Sequence, residues 1–209
     1  MSHFKEISDD ARDDPDNKYV LVIDEINRGK TEKIFGELIT LIEDDKRKES
    51  HKTTLPYTQK SFWVPKNLLI IGTMNTADRS IAVIDTALRR RFAFEELMPK
   101  SELVDEEIDG ISLKTLLEEL NNRIRGEGNA LREKQIGHSY FMNVKNLSEL
   151  RITFAVEIVP LLQDYFYSDY KKLADILSPD FIDSEKMMIK EKWKKDDASF
   201  KAAINKILG

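Results

Sequence analysis

Cysteine is absent from the sequence, so neither a disulfide framework nor a thiolate-bound metal can hold this chain together. An interior of this kind suits a reducing compartment, expected here to be the cytoplasm. Excess positive charge is lacking too. Lys and Arg total 33 against 38 Asp and Glu, for a net charge of -5, which removes the broad basic footprint by which a domain grips nucleic acid. No apolar run approaches the roughly 20 residues of a membrane-spanning helix, and the N-terminus has no secretory pattern, so no membrane partner is expected. The apolar content, 41%, is that of a globular protein able to bury a sizeable core.

What is present falls into two halves. Phe4, Ile7 and Ala11 recur at helical spacing before the breaker Asp13-Asp-Pro-Asp16, as the last turns of a helix would. Tyr19 to Ile23 is a short, wholly apolar, β-branched run, and Asn67 to Gly72 is a second. Both predict strands buried on two faces, as in a parallel sheet. Between them, Ile34, Phe35, Leu38, Ile39, Leu41 and Ile42 form the stripe of a helix that ends in a solvated charge run, Glu43 to Glu49. Residues 50–65 read as an inserted hairpin, and Val83 to Arg91 as a short helix. Strands alternating with helices predict an α/β half over 1–99.

From residue 100 the pattern becomes all-α. Ser112 caps a helix with Leu113, Leu116, Leu117, Leu120 and Ile124 on one face, closed at Arg125-Gly126. Ser148 opens another, through Leu150, Phe154, Ile158, Leu161 and Tyr165, bent at Pro160. Further helices are expected over 168–177 and 196–208, and the aromatics Trp63, Tyr165, Phe166 and Tyr167 are expected in the core or an interface.

The stretch "VLVIDEINRGKT" carries two nucleotide motifs in conflict. Gly29-Lys30-Thr31 looks like the tail of a phosphate loop, but the glycine that such a loop needs five positions before Gly29 is Asp24, whose carboxylate would face the phosphates. The front half reads as a Walker B strand instead: Asp24 near a magnesium ion and Glu25 beside the attacking water. Two acids suit that chemistry because one steadies the metal while the other polarises the nucleophile. Asn75 follows the second strand, at the carboxyl end where open parallel sheets carry their chemistry, and an amide there can hold both water and a γ-phosphate, the sensor 1 role. Arg89, Arg90 and Arg91 close a short helix from which a guanidinium could reach a neighbouring subunit's nucleotide, although three arginines in a row also suit a solvated or nucleic-acid-binding cluster.

Together "VLVIDEINRG", "FGELITLIEDD", "VPKNLLIIGTMNTADRSIAVIDTALRRRFAF" and "IGHSYFM" closely resemble the AAA+ GTPase subunit of McrBC-type, modified-cytosine-dependent restriction systems, over about residues 18–177. The resemblance implies a partial AAA+ P-loop NTPase fold, the Walker B to sensor 1 part of a parallel sheet, followed by a helical lid over 100–209. It implies Asp24 and Glu25 as Walker B, with Asp24 the indirect magnesium residue, Asn75 to Asp78 as the family's Asn-Thr-Ala-Asp signature, and Arg90 or Arg91 acting in trans. The hairpin at 50–65 looks like the pre-sensor-1 insertion. The implied cofactors are Mg²⁺ and GTP, with ATP as the alternative. The implied partners are further copies in a ring, a nuclease subunit of McrC type, and DNA reached through a separate domain.

Asn75-Thr-Ala-Asp78 also has the spacing of the Asn-Lys-x-Asp guanine reader of Ras-type GTPases, but its lysine is replaced by Thr76 and it follows the strand that lies beside the γ-phosphate. Sensor 1 is the preferred reading, with Asp78 and Arg79 orienting the arginine fingers or contacting a neighbour. Guanine selectivity comes from the resemblance alone. His138, without a second ligand nearby, reads as a packing or hydrogen-bonding residue, with a lid contact to nucleotide or neighbour as the alternative. Nothing before Asp24 can be a phosphate loop, so the expectation is the C-terminal part of a motor, inactive by itself. Two other readings stand beside it: an ATPase remodeller of the MoxR kind, and a non-catalytic interaction module.

Overall fold

The computed structural model describes residues 2–29, 35–54, 59, 61–75, 86–126, 131–167 and 169–209. The chain divides into two compact units, Met1–Glu96 and Leu97–Gly209.

In the first unit, β1 (Tyr19–Ile23) and β4 (Leu68–Gly72) pair in parallel, in register from Tyr19 opposite Leu68 to Ile23 opposite Gly72. The β-branched runs that favour a strand also supply its packing surface. Tyr19, Leu21, Leu68 and Ile70 face a core built by Phe4 and Ala11 of α1 (Ser2–Asp13) and by Leu38, Leu41 and Ile42 of a 3₁₀ helix (Gly36–Ile42). That helix is tighter than the α-helix its stripe predicts, although its apolar face is buried as expected. Asn67 closes α1 against the sheet: its side-chain amide donates to the carbonyls of Ala11 at 2.7 Å, Asn17 at 2.8 Å and Asp14 at 3.0 Å. Both faces of the strands were expected to be buried. Instead Val20, Val22, Leu69 and Ile71, on the alternate positions, are 44% to 61% exposed, because α1 and the 3₁₀ helix cover one face and no described residue buries the other.

The inserted hairpin is present as β2 (Thr53–Thr54) antiparallel to β3 (Ser61–Phe62). Phe62 is fully buried and meets Phe4 at 6.0 Å between ring centres, so the insertion is pinned to the core through one aromatic. Trp63 is half-buried, under the Arg12 guanidinium at 5.2 Å. The short helix α2 (Thr86–Arg89) buries Leu88 beside Ile26 and Phe35.

Near its start the second unit has a small hairpin that the sequence pattern does not announce, β5 (Glu107–Ile108) and β6 (Ile111–Ser112). It leads into α3 (Leu113–Arg125), where Ser112 caps as expected: its hydroxyl accepts from the Thr115 N–H at 3.2 Å. Gly126 follows with φ +60, a left-handed conformation that suits glycine at a helix end. The next helix starts at Asn146 rather than Ser148, since the Asn146 side chain is what accepts the Glu149 N–H, at 2.9 Å. It runs as α4 (Leu147–Thr153), a π turn (Phe154–Ile158) and α5 (Val159–Tyr165). The π turn answers Pro160. In an α-helix the Val156 carbonyl would need the N–H that proline lacks, so the ladder widens by one residue and the Val159 N–H bonds Phe154 O.

The chain ends with α6 (Tyr170–Leu177), the β7 (Ile182–Asp183) and β8 (Met188–Ile189) hairpin, α7 (Lys192–Lys195) and α8 (Asp197–Leu208). The leucines of α3 pack against an aromatic cluster in which Phe154 stacks on Phe181 at 5.7 Å and meets Phe200 edge-on at 5.4 Å. Phe166 is buried there and Tyr165 is partly so, but Tyr167 is 87% exposed and belongs to no core. Among the described residues no helix is long and apolar enough to cross a membrane.

Candidate functional site at the carboxyl end of the sheet

The parallel register fixes what leaves the sheet together. Ile23 lies opposite Gly72, so Asp24 and Glu25 emerge from β1 beside Thr73, Met74 and Asn75 from β4. An antiparallel pair would have sent these two segments to opposite ends. The Thr73 hydroxyl donates a short hydrogen bond to Asp24 Oδ1, and Thr73 Oγ1 in turn accepts the Glu25 N–H at 3.1 Å. Backbone bonds finish the junction: Thr73 N–H to Ile23 O at 3.0 Å and Ile26 N–H to Thr73 O at 3.0 Å. Thr73 is a residue of this junction that no sequence motif marks. Its one signal was a small hydroxyl residue directly after a strand of apolar residues.

These bonds hold Glu25 in a left-handed conformation, φ +49. For a residue with a side chain that region costs about 1–2 kcal/mol, and it persists where surrounding contacts impose it. Packing adds a second constraint. A Cβ at Gly72 would meet Ile26 Cδ1 at 3.1 Å, so the glycine lets the turn after Glu25 fold back onto the sheet end. The Glu25 carboxylate pairs with Arg28 Nη1 at 2.9 Å, and the Asn27 side-chain amide reaches the Asn75 carbonyl at 3.4 Å. Asp24 and Asn75 are exposed.

Of the expected residues, then, Asp24, Glu25 and Asn75 are brought to one end of one sheet. Asp78 and Arg79 lie outside the described residues, as do Lys30 and Thr31 of the apparent phosphate loop. Asp24, in the turn directly after β1, is hydrogen-bonded to Thr73, directly after the neighbouring strand.

The arginine run is not uniform. Arg91 is only 13% exposed and its Nη2 pairs with Glu43 Oε1 at 2.6 Å; Arg89 and Arg90 are exposed. Glu43 also accepts from Lys46 Nζ at 2.7 Å, so the charge run from Glu43 to Glu49 is not simply solvated at its first residue. The Lys46 hydrogen bond first, and then the Arg91 charge, hold the Glu43 carboxyl below its ordinary 4.5, against partial desolvation that works the other way. A carboxyl with a lowered folded-state pKa contributes stability that is complete above its unfolded value and is lost as pH falls through the folded value. The first unit is therefore expected to weaken progressively below about pH 4.5, and Glu43→Gln to flatten that dependence, in thermal unfolding followed from about pH 6 to 3.

His138 sits in a 3₁₀ turn (His138–Tyr140) of the second unit, where its Nδ1 accepts the Lys100 N–H at 3.2 Å. Because a backbone N–H can only donate, this contact uses Nδ1 as the acceptor.

A magnesium ion is a hard cation that takes oxygen ligands, keeps several waters, and leans on one or two carboxylates together with substrate phosphates. The Asp24 carboxylate and the Thr73 hydroxyl are donors of that kind, so the residues present fit an indirect magnesium contact. Among the described residues no group of three or more His, Cys, Asp or Glu could cage a metal without phosphates.

Two known families match the chain. Residues 4–92 match the AAA domain (dynein-related subfamily), and residues 112–174 match the McrB alpha-helical lid domain. The chain is an AAA+ protein with a helical lid. More narrowly, it is similar to the McrB type: it is 39% identical, over 186 residues, to the Type IV methyl-directed restriction enzyme EcoKMcrB subunit of Escherichia coli (strain K12), a match covering 78% of this chain and 40% of that protein. It is also 32% identical over 91 residues to the Type II restriction enzyme BsuMI component YdiS of Bacillus subtilis (strain 168), covering 38% of this chain and 26% of that protein. The chain thus spans about two fifths of the length of the first relative and about a quarter of the second.

Proposed function

We propose that this chain is the acid and sensor part, with the lid, of a GTP-hydrolysing AAA+ motor that drives translocation and cleavage of DNA in a modified-base-dependent restriction system. The observation that carries the reading is the convergence of Asp24, Glu25 and Asn75 at one end of a parallel pair of strands, with Thr73 bonded to Asp24. The match of residues 112–174 to an McrB lid favours this motor over a MoxR-like remodeller. GTP rather than ATP, the ring of like subunits, the McrC-type nuclease partner and the indirect route to DNA rest on the resemblance.

In this reading Asp24, steadied by Thr73, would hold a Mg²⁺ ion indirectly, and the ion would supply charge neutralisation for the nucleotide's phosphates. Asn75 holds the attacking water in line, and Glu25 takes its proton. Glu25 must first leave Arg28. Their pair is exposed, of a class worth about 0–1 kcal/mol, so it yields readily once nucleotide and water compete for both groups. Arg90 is the residue that reaches the neighbouring subunit's nucleotide, because Glu43 occupies Arg91 within the same subunit. Asp78 and Arg79 orient that finger or touch the neighbour. Without a phosphate loop, the residues in hand bind nucleotide weakly and do not turn it over alone. The test is turnover of GTP and of ATP by the complete motor, with and without Glu25→Gln: GTP hydrolysis that depends on Glu25 supports the reading, and turnover indifferent to Glu25 contradicts it.

A further inference from the structure

The start of the second unit is fastened to its own body by a closed set of contacts around α3. Glu118 and Asn121 are three residues apart, and so lie on one side of that helix. Glu118 Oε1 accepts the Ser101 hydroxyl at 2.6 Å. Asn121, only 6% exposed, holds the backbone of Ile136 at both ends: its Nδ2 donates to Ile136 O at 3.0 Å, and its Oδ1 accepts the Ile136 N–H at 2.7 Å. Two residues further on, His138 Nδ1 accepts the Lys100 N–H. The loop that α3 holds through Asn121 therefore grips the same segment that α3 holds through Glu118. A 3₁₀ turn from Ser101 to Leu103 and the fully buried Val104 continue that segment into the core. Immediately upstream, residues 93–99 have no helix or strand, and Phe94 and Leu97 are 48% and 85% exposed.

We propose that His138 is a positioning residue: through its Nδ1 it latches the Lys100 backbone to the lid, so that the lid moves as one body beginning at residue 100 and bending is confined to residues 93–99. A chain that enters a moving body through an unlatched segment would absorb part of the motion in its own slack. The latch makes the lid's displacement available to residues upstream. This role rests on the motor reading above; the latch itself does not. It also assigns the imidazole a task that needs an acceptor at Nδ1 and neither a metal nor a nucleotide.

Backbone amide exchange, read residue by residue by NMR on this chain, tests the latch. The Lys100 amide is expected to be protected, to exchange about ten-fold faster or more in His138→Ala, and to stay within about three-fold of its original rate in His138→Asn, whose Oδ1 can replace Nδ1. The Ile136 amide, held by Asn121, reports whether the lid is still folded and should hold its rate in both variants. A Lys100 amide equally protected in His138→Ala with Ile136 intact overturns the latch. Should His138→Ala unfold the lid and expose both amides, His138→Asn decides: Lys100 protected supports the latch, and Lys100 unprotected beside a protected Ile136 overturns it. In the complete motor, His138→Ala should lower kcat with KM held, and His138→Asn should restore it. Unchanged turnover in His138→Ala, with the Lys100 amide deprotected, would overturn the coupling to the motor although it supports the contact itself.

Discussion

Replacing Glu25 by Gln in the complete motor is expected to leave nucleotide affinity within about two-fold and to cut turnover by about 10²–10⁴, the usual worth of a positioned general base. The two effects separate because of what the substitution keeps. Gln preserves the shape of the side chain and can still hydrogen-bond, so the junction built by Thr73, Gly72 and Ile26 stays as it is; those contacts use the Glu25 backbone and not its carboxylate. What Gln cannot do is accept the proton of the attacking water. It also loses the ion pair with Arg28, which at its exposure contributes little to folding. Equilibrium binding of a nucleotide analogue and steady-state phosphate release measure the two quantities. Equal losses in both would mean that the substitution disturbs the fold, and no loss in turnover would remove Glu25 from the chemistry.

Replacing Arg90 by Ala should cost more, about 10³–10⁵ in kcat, the range known for arginine fingers. The neighbouring arginine gives the internal comparison. Arg91 is tied to Glu43 at 2.6 Å, so its loss should act through the packing of the segment after α2, and Glu43→Gln should reproduce part of its effect. Loss of Arg90 should not be reproduced by Glu43→Gln. Action across a subunit boundary has its own signature. Rings mixed from Arg90→Ala and Glu25→Gln subunits contain interfaces in which an intact Glu25 meets an intact Arg90 from the neighbour, and such rings should regain turnover that neither parent has. If Arg90 worked within its own subunit, no mixture would recover.

The legible parts of the fold were those in which one local pattern decides the outcome. The run from Tyr19 to Ile23 and the run ending at Gly72 could hardly be anything but short parallel strands, and the leucines after Ser112 could hardly be anything but one helix face. That Asp24, Glu25 and Asn75 leave one end of the sheet was legible because two parallel strands send their following segments the same way. Other features depended on partners distant in sequence. Thr73 gains its meaning from Asp24, 49 residues away, and nothing in its local context announces a hydrogen bond to a carboxylate. Glu43 belonged to a charge run with every mark of solvated surface until Arg91 folded against it. Composition counted Val20, Val22, Leu69 and Ile71 as doubly buried because it cannot say which face of a strand the described helices cover. Pro160 signalled a bend, but whether proline breaks, kinks or widens a helix depends on the packing on either side; here Phe154 and Ile158 are both fully buried and keep the helix continuous through a π turn.

The central claim is that this chain holds the acids of a nucleotide site and not the loop that cradles the phosphates. Titration of the chain with fluorescent GTP and ATP analogues in Mg²⁺, with Asp24→Asn as the control, tests it most directly. The expected result is no saturable binding up to about 1 mM of either analogue, and no difference between the chain and the Asp24→Asn variant. Saturable binding that Asp24→Asn abolishes would contradict it, and would mean that the chain carries a more complete nucleotide site than its acids and sensor alone.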